Sequence, residues 1–173
     1  RMPLARMIDG TGGGGSIKML EKDPRTYIPQ TPGWEWVVAN MATVPVVSLA
    51  LGPCAGLGAG RVAASHYSVM VQGLSQVFVA GPPVAKALGE DVDKEGLGGA
   101  DINGKNGVVD DIVASEAEAF AAARRFLSYL PASIYETAAR VEPMDTPGRR
   151  DESLLSIVPR DRRVPYKMRR IVD

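Results

Sequence analysis

Apolar residues along the chain occur in two patterns, short continuous runs and repeats at helical spacing, which together predict an α/β fold. The short runs contain many β-branched residues, as strands do. One of them, Val46–Leu51, is predicted to be a strand that is buried on both faces and ends at Gly52-Pro53. The run at 4–8 is also predicted to be a buried strand. The predicted strands lie at 4–8, 46–51, 67–71 and 76–79.

Three helices are predicted outside the glycine-rich segments, the first and the third of them from the helical spacing of their apolar residues. The first has Thr31 as its N-cap and Pro32 at its first position, and its tryptophan face is expected to pack inward. A short helix is predicted over 82–88. The third begins at the capping-box sequence S-x-x-E at 115–118 and is stopped by Pro131. Its predicted apolar face consists of Phe120, Ala123, Leu127 and Leu130.

Two predicted strands run directly into glycine-rich segments, at 10–15 and 52–60, and the second segment is predicted to open into a tightly packed helix. Backbone N–H groups at such turns and at a helix start lack carbonyl partners, so they favour negative charge on a bound group. If that charge develops on a thioester oxygen, the turn is an oxyanion hole. The glycines would equally permit close helix–strand packing, and spacing alone does not separate these interpretations. A flexible linker is a further interpretation of 10–16.

The composition limits the chemistry that is available. Of the 173 residues 45% are hydrophobic, which suits one domain with a core, and 20 Lys and Arg balance 20 Asp and Glu. The balanced charge gives no reason to expect a nucleic-acid or membrane partner, and no apolar run approaches the roughly 20 residues that span a bilayer. The single Cys54 excludes an internal disulfide and favours a reducing compartment. With His66 as the one histidine, we expect no metal site.

The segment from 142 to 173 is rich in proline, glycine and charge, and it is predicted to be a linker that leaves a domain spanning 1–141. Its arginines suit phosphate groups on RNA or on a nucleotide-like ligand. We favour a solvated tail, because acidic residues partly neutralise the arginines and no aromatic pattern accompanies them. The sequence begins within a predicted strand, so we expect the start of the domain to lie upstream.

Four separated motifs occur in the order found in a known family. They are G-P-C-A-G-L-G-A at 52–59, F-V-A-G-P-P-V at 78–84, G-E-D-V at 89–92 and L-G-G-A at 97–100, and L-S-Y-L-P at 127–131 closes the stretch. This stretch resembles the carboxyltransferase β subunits of biotin-dependent acyl-CoA carboxylases of the propionyl-CoA and methylcrotonyl-CoA type. The resemblance implies a crotonase-like fold of repeated ββα units. It covers only the first of the two such domains that each subunit of the family contains.

The resemblance also implies an activity, transfer of a carboxyl group from carboxybiotin to the α-carbon of an acyl-CoA, with backbone amides stabilising the oxyanions. Biotin would arrive on a separate carrier domain or subunit. The implied partners are the acyl-CoA, a biotin carboxylase and carrier subunit, and further copies of the carboxyltransferase subunit, in the cytoplasm or the mitochondrial matrix. The segment alone is expected to be inactive. By position, the oxyanion amides are those of Leu57, Gly58 and Ala59, and the loop beside the substrates is Gly12, Gly13, Gly14 and Gly15.

The sequence departs from the family at two places. Leu57 stands where the family usually has the first glycine of a pair, and the 10–16 segment contains more glycines than usual. His66 is interpreted as structural and Cys54 as a small packed residue. Two alternative functions stay open. One is the carboxyltransferase of a sodium-pumping acyl-CoA decarboxylase, and the other is a non-catalytic assembly module whose glycines serve packing.

Overall fold

A computed structural model describes residues 2–10, 21–22, 33–133 and 135–172. The chain divides into two units, Arg1–Ala139 and Arg140–Asp173. In the described part of the larger unit the strands are β1 (Leu4–Gly10), β2 (Val46–Ala55), β3 (Tyr67–Val71), β4 (Gln76–Phe78) and β5 (Asp111–Val113). Its helices are α1 (Trp34–Met41), α2 (Leu57–Ala63), α3 (Pro82–Ala87), α4 (Lys94–Gly98), α5 (Ala100–Asn106) and α6 (Glu116–Ser128). The smaller unit contains α7 (Leu154–Ile157) and α8 (Arg169–Val172).

The five strands form a parallel sheet in the order β1-β2-β3-β5, with β4 paired to β2. The central strand β2 is fully buried over 46–50, which confirms the predicted two-sided burial. Its side chains alternate between two cores, as the pleat of a strand requires. Ala50 and Cys54 pack on the side of α2, whereas Val47 and Leu49 pack on the side of α6.

The predicted end of β2 at Gly52-Pro53 is wrong, because the strand continues to Ala55. It pairs with β3 over 47–50 and with β4 over 53–55. On the other edge the register with β1 jumps from Ile8 opposite Ala50 to Gly10 opposite Cys54, so three residues of β2 face one residue of β1. A bulge of this kind tolerates the missing N–H of Pro53.

The expectation that 4–8 is a buried strand is also wrong. β1 forms as a strand, but its side chains alternate between half-buried and exposed, and only Ile8 is buried. The side chain of Met7 is 69% exposed. The reason is topological, since among the described residues β1 pairs only with β2 and lies at an edge of the sheet.

Helix α6 confirms the third predicted helix, including the capping residue. The Ser115 hydroxyl accepts a hydrogen bond from the Glu118 N–H at 3.3 Å, while the Glu118 carboxylate accepts from the Ala114 N–H at 3.0 Å. The predicted apolar face is only partly right, because the residues that α6 buries are alanines. Small side chains let the helix approach β3 closely, with Phe120 and Leu127 only half-buried at the margin of this contact.

Helix α1 forms where the first helix was predicted, but its N-cap is Gly33 and not Thr31; Thr31 and Pro32 lie outside the described residues. The expectation of an inward tryptophan face fails for Trp36, which is 67% exposed. Trp34 is half-buried and packs on α2, where the Arg61 guanidinium lies 5.8 Å from the centre of its ring.

The predicted helix over 82–88 is confirmed as α3, while α4, α5 and β5 were not predicted. In the smaller unit α7 and α8 are single turns, and most described side chains are exposed. Two exposed ion pairs lie there, Arg149 with Asp145 at 2.9 Å and Arg163 with Asp161 at 3.1 Å. Exposed pairs of this kind contribute little to stability.

Candidate functional site

The turn after β2 is shaped by Gly56. Its backbone has φ +55° and ψ −116°, a conformation that favours glycine. The Gly56 N–H lies 3.2 Å from the Phe78 carbonyl and 3.1 Å from the Val79 carbonyl, and therefore donates to the end of β4. This contact fixes the point at which the chain leaves the sheet and enters α2.

The three consecutive residues predicted to supply oxyanion amides, Leu57, Gly58 and Ala59, form the first turn of α2. The first N–H groups of a helix have no carbonyl available within the helix. Here Gly60 is the first to find one, the Gly56 carbonyl at 2.9 Å. Among the described residues no acceptor occurs for the N–H groups of Leu57, Gly58 or Ala59. The local positive end of the peptide dipoles favours negative charge at such a position.

Gly58 is a point of close approach between α2 and β1. A β-carbon built on Gly58 would lie well inside 3.0 Å of the Gly10 carbonyl oxygen and 3.5 Å from the Gly10 carbonyl carbon. A side chain is therefore excluded at this position, and the last residue of β1 lies against the first turn of α2. The predicted substrate loop, Gly12 to Gly15, lies outside the described residues.

Cys54 lies directly below this turn and is fully buried. Its thiol donates to the carbonyls of Ile8 at 3.4 Å and Gly52 at 3.3 Å. Burial raises the pKa of Cys54 to about 11, opposed by a hydrogen bond from the Gly10 backbone and assisted by the charge of Asp9. A thiol that stays protonated at neutral pH is a poor nucleophile, so the geometry supports the packed-residue interpretation.

Two residues near the turn, Asp9 and Asn103, were not predicted from the sequence to matter for the site. Asp9 lies in the bulge, where its carboxylate occupies the space that a side chain on Gly52 would need. Asn103 is buried and donates to the carbonyls of Val77 at 2.9 Å and Gly98 at 2.6 Å, which ties α4 and α5 to β4. The L-G-G-A motif before Asn103 was the available signal.

His66 lies at the opposite end of β2 from the turn. Its ring Nδ1 accepts a hydrogen bond from the Val46 backbone N–H at 3.0 Å, and the backbone N–H of His66 donates to the Val46 carbonyl at 2.8 Å. These contacts support a structural role for His66. The described residues contain no group of three or more metal-ligating side chains and no helix that is long and apolar enough to cross a membrane.

Comparison with protein families supplies the decisive observation. Residues 35–173 match the family model described as the carboxyl transferase domain. The chain belongs to this family. The family match continues through the charged segment at 142–173.

Individual relatives agree with this membership. The chain is 37% identical over 131 residues to the methylmalonyl-CoA decarboxylase subunit alpha of Veillonella parvula, and 37% identical over 132 residues to the propionyl-CoA carboxylase carboxyltransferase subunit of Haloferax mediterranei. Each alignment covers 75% of this chain and 26% of the relative. The chain therefore spans about a quarter of the length of these relatives.

Among solved structures, a transcarboxylase 12S crystal structure with hydrolysed methylmalonyl-coenzyme A bound matches with a TM-score of 0.65 and 26% identity. The match covers 99% of this chain and 32% of that chain. The predicted α/β fold of the crotonase-like type is confirmed by the parallel sheet and this likeness.

Proposed function

We propose that this chain contributes half of the active site of a carboxyltransferase, an enzyme that transfers a carboxyl group from carboxybiotin to the α-carbon of an acyl-CoA. Membership of the carboxyl transferase domain family supports this proposal. The observation that carries it is the start of α2, where three adjacent backbone amides have no acceptor among the described residues. The last residue of β1, Gly10, lies close to Gly58 in this first turn. The named relatives act on CoA thioesters, and one solved relative holds methylmalonyl-coenzyme A in its crystal.

The proposed role of the turn is electrostatic. Removal of the α-proton from an acyl-CoA places negative charge on the thioester oxygen, and the N–H groups of Leu57, Gly58 and Ala59 would donate to that oxygen. Losing one such donor typically costs about 3–4 kcal/mol of transition-state stabilisation. The turn is held by backbone contacts, so it needs little reorganisation as the charge develops.

Biotin, when bound as carboxybiotin, would supply the carboxyl group and, once that group has left, the base that accepts the α-proton of the acyl-CoA. Backbone donors suit its ureido oxygen as they suit a thioester oxygen, and we propose that the glycine loop 12–15 is the loop beside the bound substrates, as the family resemblance implies. We further propose that a second carboxyltransferase domain, a biotin-bearing subunit and other copies of the subunit complete the site.

The reverse direction is a second candidate, and the methylmalonyl-CoA decarboxylase relative favours it. One experiment separates the candidates. The full-length subunit with its biotin-bearing partner is given acyl-CoAs together with carboxybiotin, and in a parallel reaction malonyl-type thioesters together with free biotin. Carboxylated acyl-CoA in the first reaction supports the carboxylase direction, and carboxybiotin formed only in the second supports the decarboxylase. If the assembled complex binds no thioester and transfers no carboxyl group, both directions of the proposed reaction are overturned. The non-catalytic assembly module then remains as the function.

A further inference from the structure

The start of α2 presents one large side chain to solvent. Ala59 is buried in the core, and Gly58 has no side chain and faces the Gly10 carbonyl. Leu57 differs from both, because its isobutyl group is 47% exposed at the first position of the helix. Among the three residues whose amides form the proposed site, the side chain of Leu57 is therefore the one that can meet a bound acyl group.

The position of this side chain follows from bond lengths. An oxygen that accepts a hydrogen bond from the Leu57 N–H lies about 2.9 Å from the nitrogen. Two covalent bonds of about 1.5 Å separate that nitrogen from the Leu57 β-carbon, so the oxygen and the β-carbon are roughly 5 Å apart or less. The α-carbon of an acyl-CoA is bonded to the carbonyl carbon that carries this oxygen. Substituents on the α-carbon therefore share their space with the isobutyl group.

The other borders of the turn are fixed by backbone. On one side the Gly10 carbonyl excludes even a β-carbon at Gly58, and on another the Phe78 and Val79 carbonyls hold the Gly56 N–H. These borders cannot recede by a change of rotamer. Among the described residues at the start of α2, the Leu57 side chain is therefore the border of this space that a substitution can move.

We propose that Leu57 limits acyl size, so that the site selects short, unbranched acyl-CoAs such as acetyl-CoA and propionyl-CoA over branched and long ones. This inference rests on the proposed function. Crowding by one methylene in an apolar pocket changes kcat/KM by about 10- to 200-fold, which is enough for an isobutyl group to decide among acyl chains.

The test uses Leu57→Ala in the full-length subunit with its biotin-bearing partner. Alanine keeps the amide and is the best helix former, so the variant retains the turn while removing the isobutyl group. The readout is kcat/KM for carboxyl transfer to acetyl-, propionyl-, isobutyryl- and octanoyl-CoA. We expect the wild type to prefer the first two, and we expect the octanoyl-to-acetyl ratio to rise at least about tenfold in the variant. Leu74→Ala is the matched control, since Leu74 is 42% exposed in the turn after β3, and its ratio should equal that of the wild type.

The outcomes distinguish this inference from the proposed function. If the wild type carboxylates acyl-CoAs but Leu57→Ala leaves the ratio within twofold, the size limit is wrong and the proposed function stands. A wild type that already prefers octanoyl-CoA also overturns the size limit alone. If the assembled wild type transfers carboxyl groups to no thioester, both are overturned.

Discussion

Two glycines in α2 offer a matched pair of substitutions with opposite expected outcomes. In Gly58→Ala the new β-carbon would lie well inside 3.0 Å of the Gly10 carbonyl oxygen. In Gly60→Ala the nearest atoms are Cη2 and Cζ2 of Trp34, at 3.5 and 3.7 Å, which is ordinary van der Waals contact. Both changes add one methyl group to the same helix, so the difference between them isolates the contact with β1.

The magnitudes follow from the two contacts. To reach ordinary contact in Gly58→Ala, α2 and β1 must separate by about 1 Å, and a misplacement of about 1 Å in a catalytic group can cost about 100-fold in rate. Overpacking of this kind also destabilises by about 1–3 kcal/mol. Gly60→Ala should instead stabilise the protein by about 0.5–1 kcal/mol, because alanine is the better residue in a helix interior.

The assays are kcat for carboxyl transfer and urea unfolding, both on the full-length subunit with its biotin-bearing partner. We expect Gly58→Ala to lower kcat by about 100-fold or more, while Gly60→Ala keeps the wild-type kcat. A Gly58→Ala variant with wild-type kcat and stability would refute the close approach itself. If its stability falls but kcat per folded protein is unchanged, the contact is real and the turn does not carry the chemistry.

Three further predictions concern the support of the turn and the thiol below it. Asn103→Ala leaves the buried carbonyls of Val77 and Gly98 without their donor, so urea unfolding should show a loss of about 1–3 kcal/mol. Gly98→Ala should destabilise by a similar amount, since its β-carbon would meet the Val77 carbonyl carbon at 2.8 Å; wild-type stability would contradict that packing. Burial raises the pKa of Cys54 from 9.0 to about 11. Between these two pH values the folded protein keeps the thiol proton that the unfolded chain has released. The contribution of Cys54 to stability is therefore complete below about pH 9 and is lost as the pH rises towards 11, and Cys54→Ala should flatten this part of the curve of unfolding free energy against pH.

Sequence patterns were reliable where a segment had a single physical requirement. The apolar run 46–51 was predicted to be a strand buried on two faces, and residues 46–50 of β2 are buried; the Ser115 cap marked the start of α6. The errors arose where a distant partner decided the outcome. Proline at 53 normally argues against a strand, yet the bulge opposite Asp9 removes the need for its N–H.

Burial is harder to predict than secondary structure, because it depends on where an element lies in the fold. An edge strand and a central strand have similar apolar runs, so the exposure of Met7 in β1 had no local signal. The alanines of α6 gave a weak apolar signal, although their small size is what brings the helix onto the sheet. The segments of α4, α5 and β5 are short and rich in glycine and polar residues, so their apolar residues show neither the 3.6-residue period of a helix nor the two-residue period of a strand.

The candidate site shows why backbone chemistry is difficult to read from a sequence. The glycines were interpreted as serving either packing or oxyanion stabilisation, and the structure shows that Gly58 is required for packing against Gly10. That packing does not weigh against the proposed chemistry. The absence of a side chain at Gly58 is what lets the end of β1 reach the first turn of α2, where the N–H groups have no acceptor among the described residues. A substitution at Gly58 therefore tests both interpretations, whereas Leu57→Ala changes only the space beside the amides and tests substrate selection alone.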